Sequence, residues 1–189
     1  TITGLTTLVT SADGADIELN GTGHTFTGNV KITTNETATN ADAYAWIDGG
    51  SSAGLKIEKG SEVQGDLTLR SGHANTITDE GDSGVVTVDG NLTATTYANN
   101  GSITLNDLAV DGTIALATNG IGAATVVDAT LDLDLAASTV GGALIATSTN
   151  GGITDIGALA ITGAATFNAA NGKSITLDSA GTFSDAVDF

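Results

Sequence analysis

The sequence predicts an all-β fold built by repetition, a parallel β-helix (β-solenoid) of about nine coils. Three observations point there. The segment Asp16–Val30, DIELNGTGHTFTGNV, returns near the other end of the chain as Ser174–Val187, SITLDSAGTFSDAV. The shared pattern is I-x-L-(N/D), a Gly/Ala turn, then T-F-(S/T) and a Val, with one residue of gap before Thr-Phe. A long internal repeat marks a chain whose units bury their faces on their neighbours. Short runs of period-two alternation dominate the rest, and no 11-residue window carries a helical stripe. Between the runs stand Gly, Asn, Asp and Ser, residues that tolerate the left-handed backbone of a sharp corner.

The runs come in order as Ile17–Leu19, Val30–Ile32, Leu55–Ile57, Leu67–Leu69, Val86–Val88 and Ile103–Leu105. They continue as Leu108–Val110, Ile114–Leu116, Leu131–Leu133–Leu135, Leu159–Ile161 and Ile175–Leu177. Each places two or three aliphatics on one face and Thr, Asp, Glu or Ala on the other. Asn-Gly and Asp-Gly separators also suit antiparallel hairpins. The stretch Ser102–Gly120, SITLNDLAVDGTIALATNG, decides for the solenoid, because it holds three short strands with hardly a residue between them. That is too tight for sandwich strands and right for the sides of a triangular coil. At about 20 residues per coil and about 4.8 Å per layer, the rod is roughly 40–45 Å long. Inward positions are Ile17, Leu19, Ile103, Leu105, Ile114, Leu116, Leu131, Leu133, Ile175 and Leu177. Asn35–Gly84 is less regular, and the whole of 1–189 reads as one solenoid segment.

Composition narrows the function. The chain has 22 Asp+Glu against 5 Lys+Arg, a net charge of −17, which opposes binding to nucleic acid or an anionic membrane surface. With 4% aromatics it resembles a disordered chain, but 40% hydrophobic residues supply apolar surface in thin slices, as a solenoid needs. Absence of Cys removes disulfide and thiolate chemistry. No run approaches 18 uninterrupted apolar residues, so no membrane insertion is expected. The balance fits an extracellular, self-repelling protein that takes up divalent cations.

Ser138–Phe189 resembles the degenerate repeats of filamentous-haemagglutinin-type exoproteins, the large secreted adhesins of bacterial two-partner secretion. The resembling features are V-G-G-x-L at Val140–Leu144, G-x-I-T at Gly151–Thr154, G-A-L-x-I-T-G-x-A-T-F at Gly157–Phe167, and S-I-T-L-D at Ser174–Asp178. The T-F-S-x-A-V ending at Val187 completes them, and Asp89–Leu116 is similar. The likeness is good over Asp89–Phe189, fair over Thr1–Thr33 and weak over Asn35–Gly84. It implies a right-handed coil, export to the cell surface, and a role as rod, stalk or adhesive fibre. It brings no catalytic residues.

Candidate sites are few. His24 and His73 sit in turn-like stretches without a nucleophile partner, so the chain is expected not to be an enzyme. Asp132 and Asp134 alternate with leucines and share the outer face, where a neighbouring coil's oxygens would complete a Ca²⁺ site. Asp79, Glu80 and Asp82 form a second acidic cluster, in a turn. Tyr44 and Trp46 alternate with Ala43, Ala45 and Ile47 and face solvent together; with Tyr97 they are the candidates for stacking on sugar rings. Thr1, Ile2 and Leu5 at one end, and Phe183, Val187 and Phe189 at the other, offer unpaired β-edges. The expected partners are copies of the chain stacked end to end, or flanking repeats of a longer chain, with a host or matrix glycan or protein as receptor. A carbohydrate-binding module and a polysaccharide-active enzyme on the same scaffold are the alternatives.

Overall fold

A computed structural model describes residues 1–37, 43–72, 76–81, 83–130 and 132–189. The alternating runs form parallel strands stacked coil on coil, with no helix among the described residues. In chain order the strands are β1 (Thr6–Val9), β2 (Ile17–Leu19), β3 (Val30–Thr33), β4 (Ala45–Asp48), β5 (Leu55–Glu58), β6 (Glu62–Val63), β7 (Leu67–Ser71) and β8 (Ile77–Glu80). The middle of the chain holds β9 (Val86–Val88), β10 (Leu92–Asn99), β11 (Ile103–Val110), β12 (Thr113–Asn119) and β13 (Ala124–Asp128). Then follow β14 (Leu133–Leu135), β15 (Ser138–Val140), β16 (Leu144–Ser148), β17 (Ile153–Asp155) and β18 (Leu159–Ile161). The last are β19 (Ala165–Asn168), β20 (Ile175–Thr176), β21 (Thr182–Phe183) and β22 (Val187–Asp188).

Two sides run the length of the rod. One stacks β3, β5, β8, β11, β13, β16, β19 and β22; the other stacks β2, β4, β7, β10, β12, β14, β17 and β20. A short third side closes each coil, and it changes corner halfway. In the first half it is β6 and β9, lying after the first-named side and continued by the end of β11. In the second half it is β15, β18 and β21, lying before that side and begun at the end of β12. The exchange takes place across the three long strands β10, β11 and β12. The sequence runs Ile103–Leu105 and Leu108–Val110 are therefore one bent strand, with a register shift between Leu105 and Leu108.

Coil length follows from the register. One inward column runs through Ile17, Ala45, Leu67, Leu92, Ile114, Leu135 and Asp155, one residue per layer. Bonded neighbours on successive coils are 28 residues apart at Asp16 and Tyr44, 25 at Asp66 and Asn91, and 20 at Asp132 and Gly152. The rod therefore has about eight turns rather than nine. The expected coil length holds steadily towards the C-terminal end, whereas in the first half coils of that size, such as Ala45 to Leu67, alternate with longer ones, such as Ile17 to Ala45 and Leu67 to Leu92. Eight layers at about 4.8 Å make a rod of roughly 38 Å.

The core is one apolar column system along the axis. Leu55, Ile77, Ile103, Ala124, Leu144 and Ala165 stack in register, each below 2% exposed. Each fully buried Leu or Ile is worth about 1.5–3 kcal/mol relative to exposure. Of the expected inward positions, Ile17, Ile103, Leu105, Ile114, Leu116 and Leu133 are buried, while Leu19, Ile175 and Leu177 pack half-buried on the core's ends. Leu131 lies outside the described residues. Phe167 is fully buried, edge-on to Phe183 at 6.1 Å and stacked with Phe189 at 6.0 Å.

The internal repeat keeps its sides but slides along them. Ile17 and Ile175 both lie on the side of β2 and β20, and Val30 and Val187 both on the other. The column of Ile17 passes through Asp155, whereas Ile175 pairs Ile153, one pleat back. A slip of one full pleat leaves every side chain with its inward or outward direction.

Carboxylates enter the interior at the corners. Asp48, Asp79, Asp128 and Asp155 are all buried. Asp79 accepts the N–H groups of Asn106 at 2.9 Å and Asp107 at 2.6 Å. Asp128 accepts those of Val110 and Thr130, and Asp155 those of Asp178 and Ser179. Where a strand bends, backbone N–H groups leave the ladder, and a short acidic side chain replaces the lost carbonyl. The sequence expectation placed Asp79, Glu80 and Asp82 in a turn. Asp79 and Glu80 instead end β8, and Asp79 points inward; Asp82 lies outside the described residues.

Candidate binding face

Tyr44 and Trp46 stand where alternation puts them. Ala43, Ala45 and Ile47 are buried, and the two aromatics between them are half-buried on the outer surface at β4. Parallel pairing sets their neighbours. Trp46 lies between Glu18 on the preceding coil and Thr68 on the next. One pleat back, Tyr44 lies between Asp16 and Asp66: its N–H donates to Asp16 Oδ1 at 3.2 Å, and Ala45 N–H donates to the Asp66 carbonyl at 2.9 Å. The Tyr44 hydroxyl donates to Glu18, diagonally across the face. That bond and the nearby carboxylates push the phenol up to about 12. Trp46 Nε1 is buried and makes no hydrogen bond.

The third aromatic is already engaged. Tyr97 rests on the backbone of Gly72, where an added methyl would overlap its ring, so Gly72 is there for close approach. Its hydroxyl donates to the buried Asp48 at 3.1 Å, and the Arg70 guanidinium lies 5.1 Å from the ring centroid. Burial and the bond to Asp48 raise its pKa, with Arg70 opposing. Asp48, Arg70 and Tyr97 come from three successive coils and tie them together. Sequence inspection missed this trio. The signal was there in the separation of Asp48 and Tyr97, 49 residues with Arg70 near the middle, which matches two coils.

Asp132 and Asp134 both face outward, as the leucine alternation requires, and each is engaged by the next coil. Asp132 Oδ1 accepts Gly152 N–H at 2.6 Å and Asp134 accepts the Thr154 hydroxyl. Among the described residues no group of three or more His, Asp or Glu side chains converges to hold a metal. Lys59 pairs with Asp107 at 2.6 Å, which raises the lysine's pKa. Asp89 follows Val88 of β9, whose partner Val110 of β11 precedes Asp111, so the two carboxylates are neighbours on adjacent coils. Burial first, then Asp111 and Glu62, raise the Asp89 pKa. His24 lies half-buried at a corner, its ring 6.2 Å from Phe26, and His73 lies outside the described residues.

With the coils and their faces laid out, comparison with known proteins adds a family. The profile of DUF5649, described as repeats of unknown function, matches residues 1–33 and 121–189. Together these are more than half of the chain. The chain belongs to the DUF5649 repeats. The two DUF5649 stretches contain both halves of the internal repeat, Asp16–Val30 and Ser174–Val187. Tyr44, Trp46, Arg70 and Tyr97 lie outside them, in the section where the coils are longer and uneven. No curated protein and no solved structure matched the chain. No helix of the described residues is long and apolar enough to cross a membrane.

Proposed function

We propose that this DUF5649 solenoid is a non-enzymatic structural rod of a bacterial cell surface, a segment or subunit of a fibrous adhesin or surface filament. One observation carries the proposal: the parallel ladders run unbroken from coil to coil between two stretches of the same repeat family. A repeat whose inward positions match from layer to layer extends by adding layers. The resemblance of Ser138–Phe189 to haemagglutinin-type exoproteins supports export and an adhesive setting. The charge of −17 supports a surface that repels nucleic acid and anionic membranes and keeps neighbouring rods apart.

The partners in this proposal are further coils, from flanking repeats or from a second copy. Ile2 and Leu5 are 47% and 58% exposed on the first coil, and Phe189 is 77% exposed on the last. Head-to-tail stacking would cover both edges, and such a heterologous contact does not close, so it yields a filament. The receptor would be a host or matrix glycan or protein. Two tests apply. Sedimentation and electron microscopy of the purified chain should show rods several times longer than one solenoid, and replacing Phe183 and Phe189 by Lys should leave monomers with intact coils. An in-frame tandem of two copies should melt as one rod of doubled length. A monomeric chain whose tandem melts as two separate bodies overturns the stacking.

A further inference from the structure

We infer that the outer face formed by Tyr44 and Trp46 with Asp16, Glu18, Asp66 and Thr68 is a saccharide-binding site for an uncharged pyranose. The site goes beyond the rod function and stands independently of it. Its first support is that the coil does not need the aromatics. The outward column through Trp46 continues as Thr68, Thr93 and Ala115 in the same register on the next three coils. Small residues therefore suffice for the fold at that position, and an indole there covers nothing the stack requires covered.

The second support is the orientation of the rings. Trp46 Nε1 is turned into the protein and left without a partner, although a buried unpaired donor is costly. What the half-buried indole presents to solvent is carbon surface. One pleat back, just before β4, stands Tyr44, its backbone about 7 Å from that of Trp46. A pyranose has one face of C–H groups and a rim of hydroxyls. The C–H face packs on aromatic carbon, and the hydroxyls need acceptors at its edge. Asp16, Glu18 and Asp66 are exposed carboxylates around the two rings; one oxygen of each is engaged within the rod, by the Tyr44 N–H, the Tyr44 hydroxyl and the Asn91 amides, which leaves the second oxygen of each for a ligand. Tyr97 provides the contrast: its ring is packed on Gly72 beneath and Arg70 above, so its faces are taken up within the rod.

The third support concerns charge and selects the class of sugar. Three carboxylates stand among the six side chains of the face, and the nearest cation in the register, Arg70, one pleat from Thr68, is held against the Tyr97 ring, so the net negative field repels uronates, sialylated and sulfated glycans. The same oxygens accept strong hydrogen bonds from neutral hydroxyls. The patch is one pleat wide and three coils tall, an area that suits one or two rings of a chain.

Trp46 is the single tryptophan of the sequence, so indole emission reports on this site. The experiment titrates the whole chain with neutral β-linked gluco-, galacto- and N-acetylglucosamine oligosaccharides, with oligogalacturonate as the anionic comparison. The expected result is a saturable change in Trp46 emission with at least one neutral oligosaccharide and none with oligogalacturonate. Tyr44→Ala should weaken that binding about tenfold, Glu18→Gln by a smaller factor, and Tyr44→Phe least, with far-ultraviolet melting curves confirming intact coils. No saturable change with any neutral member overturns the site. Equal affinity in Tyr44→Ala overturns it as well, because binding then occurs elsewhere on the rod. A preference for oligogalacturonate overturns the assignment of sugar class.

Discussion

Asp79 gives the sharpest test of how the corners hold. Its carboxylate is 8% exposed and accepts the N–H groups of Asn106 and Asp107, one coil further on. A hydrogen bond to a charged acceptor is worth about 1.5–3 kcal/mol net. Asp79→Ala removes two, so the expected cost is about 3–6 kcal/mol. Asp79→Asn keeps one carbonyl acceptor and the same volume, and should cost roughly half. In a solenoid each coil rests on its neighbours, so the loss is read locally as well as globally. Amide hydrogen exchange of Asn106 and Asp107 should lose protection by at least about 100-fold in Asp79→Ala. With a urea slope of about 2 kcal/mol per molar, the midpoint should fall by about 1.5 M or more. If the Ala variant keeps both its midpoint and the protection of those two amides, water satisfies the corner and the carboxylate is not what closes it.

Four further outcomes are expected. Leu133→Asp, at a 1% exposed position paired with Ile153, should lower stability by about 3–5 kcal/mol through an unpaired buried charge, and an unchanged melting temperature would show the register to be wrong. Spectrophotometric titration of the phenols should find Tyr44 ionising near 12, and Glu18→Gln should bring it down towards the ordinary value of 10.0. The folded state holds the phenolic proton more tightly than the unfolded chain, so the bond's contribution is present below 10.0 and is lost as pH rises through 12. Asp89 is raised above 3.8, so the folded state holds its proton longer and stability falls as pH climbs from 3.8 through the raised value; Asp89→Asn should flatten that part of the stability–pH curve. Self-repulsion among 22 carboxylates should make added salt raise the melting temperature, and Ca²⁺ should exceed NaCl at matched ionic strength if carboxylate sites hold it; identical curves in EDTA and Ca²⁺ would remove metal from the account.

What was legible in the sequence was whatever a period of two carries. Leu133 and Leu135 point inward and Asp132 and Asp134 outward because alternation leaves no other choice, and Tyr44 and Trp46 share a face for the same reason. Coil number was less legible, because corners vary freely in length while sides do not. Asp16 and Tyr44 are 28 residues apart and Asp132 and Gly152 are 20 apart, yet each pair joins neighbouring layers. The corner acids were misplaced for a related reason. Asp79 has the sequence context of a solvated turn, and only the N–H groups of Asn106 and Asp107, a whole coil away, make it an interior group. The Asp48–Arg70–Tyr97 tie left only its two-coil spacing in the sequence, and that spacing becomes readable once the coils are stacked in register.

The parallel stack has a mechanical consequence. The interstrand hydrogen bonds lie along the rod, in line with a pull on its two ends, and in that geometry a ladder opens bond after bond instead of shearing all at once. Sparse ladders give way before dense ones. A sparse one joins β3 to the next coil, where among the described residues the paired positions are Val30 with Ile57 and Thr33 with Glu62. Its side-chain reinforcement comes from Asn29 donating to Glu58 and from Ser61 accepting Ile32 N–H. Under tension this joint would part before the denser ladders that join β10 to β7 and to β12, and β13 to β16.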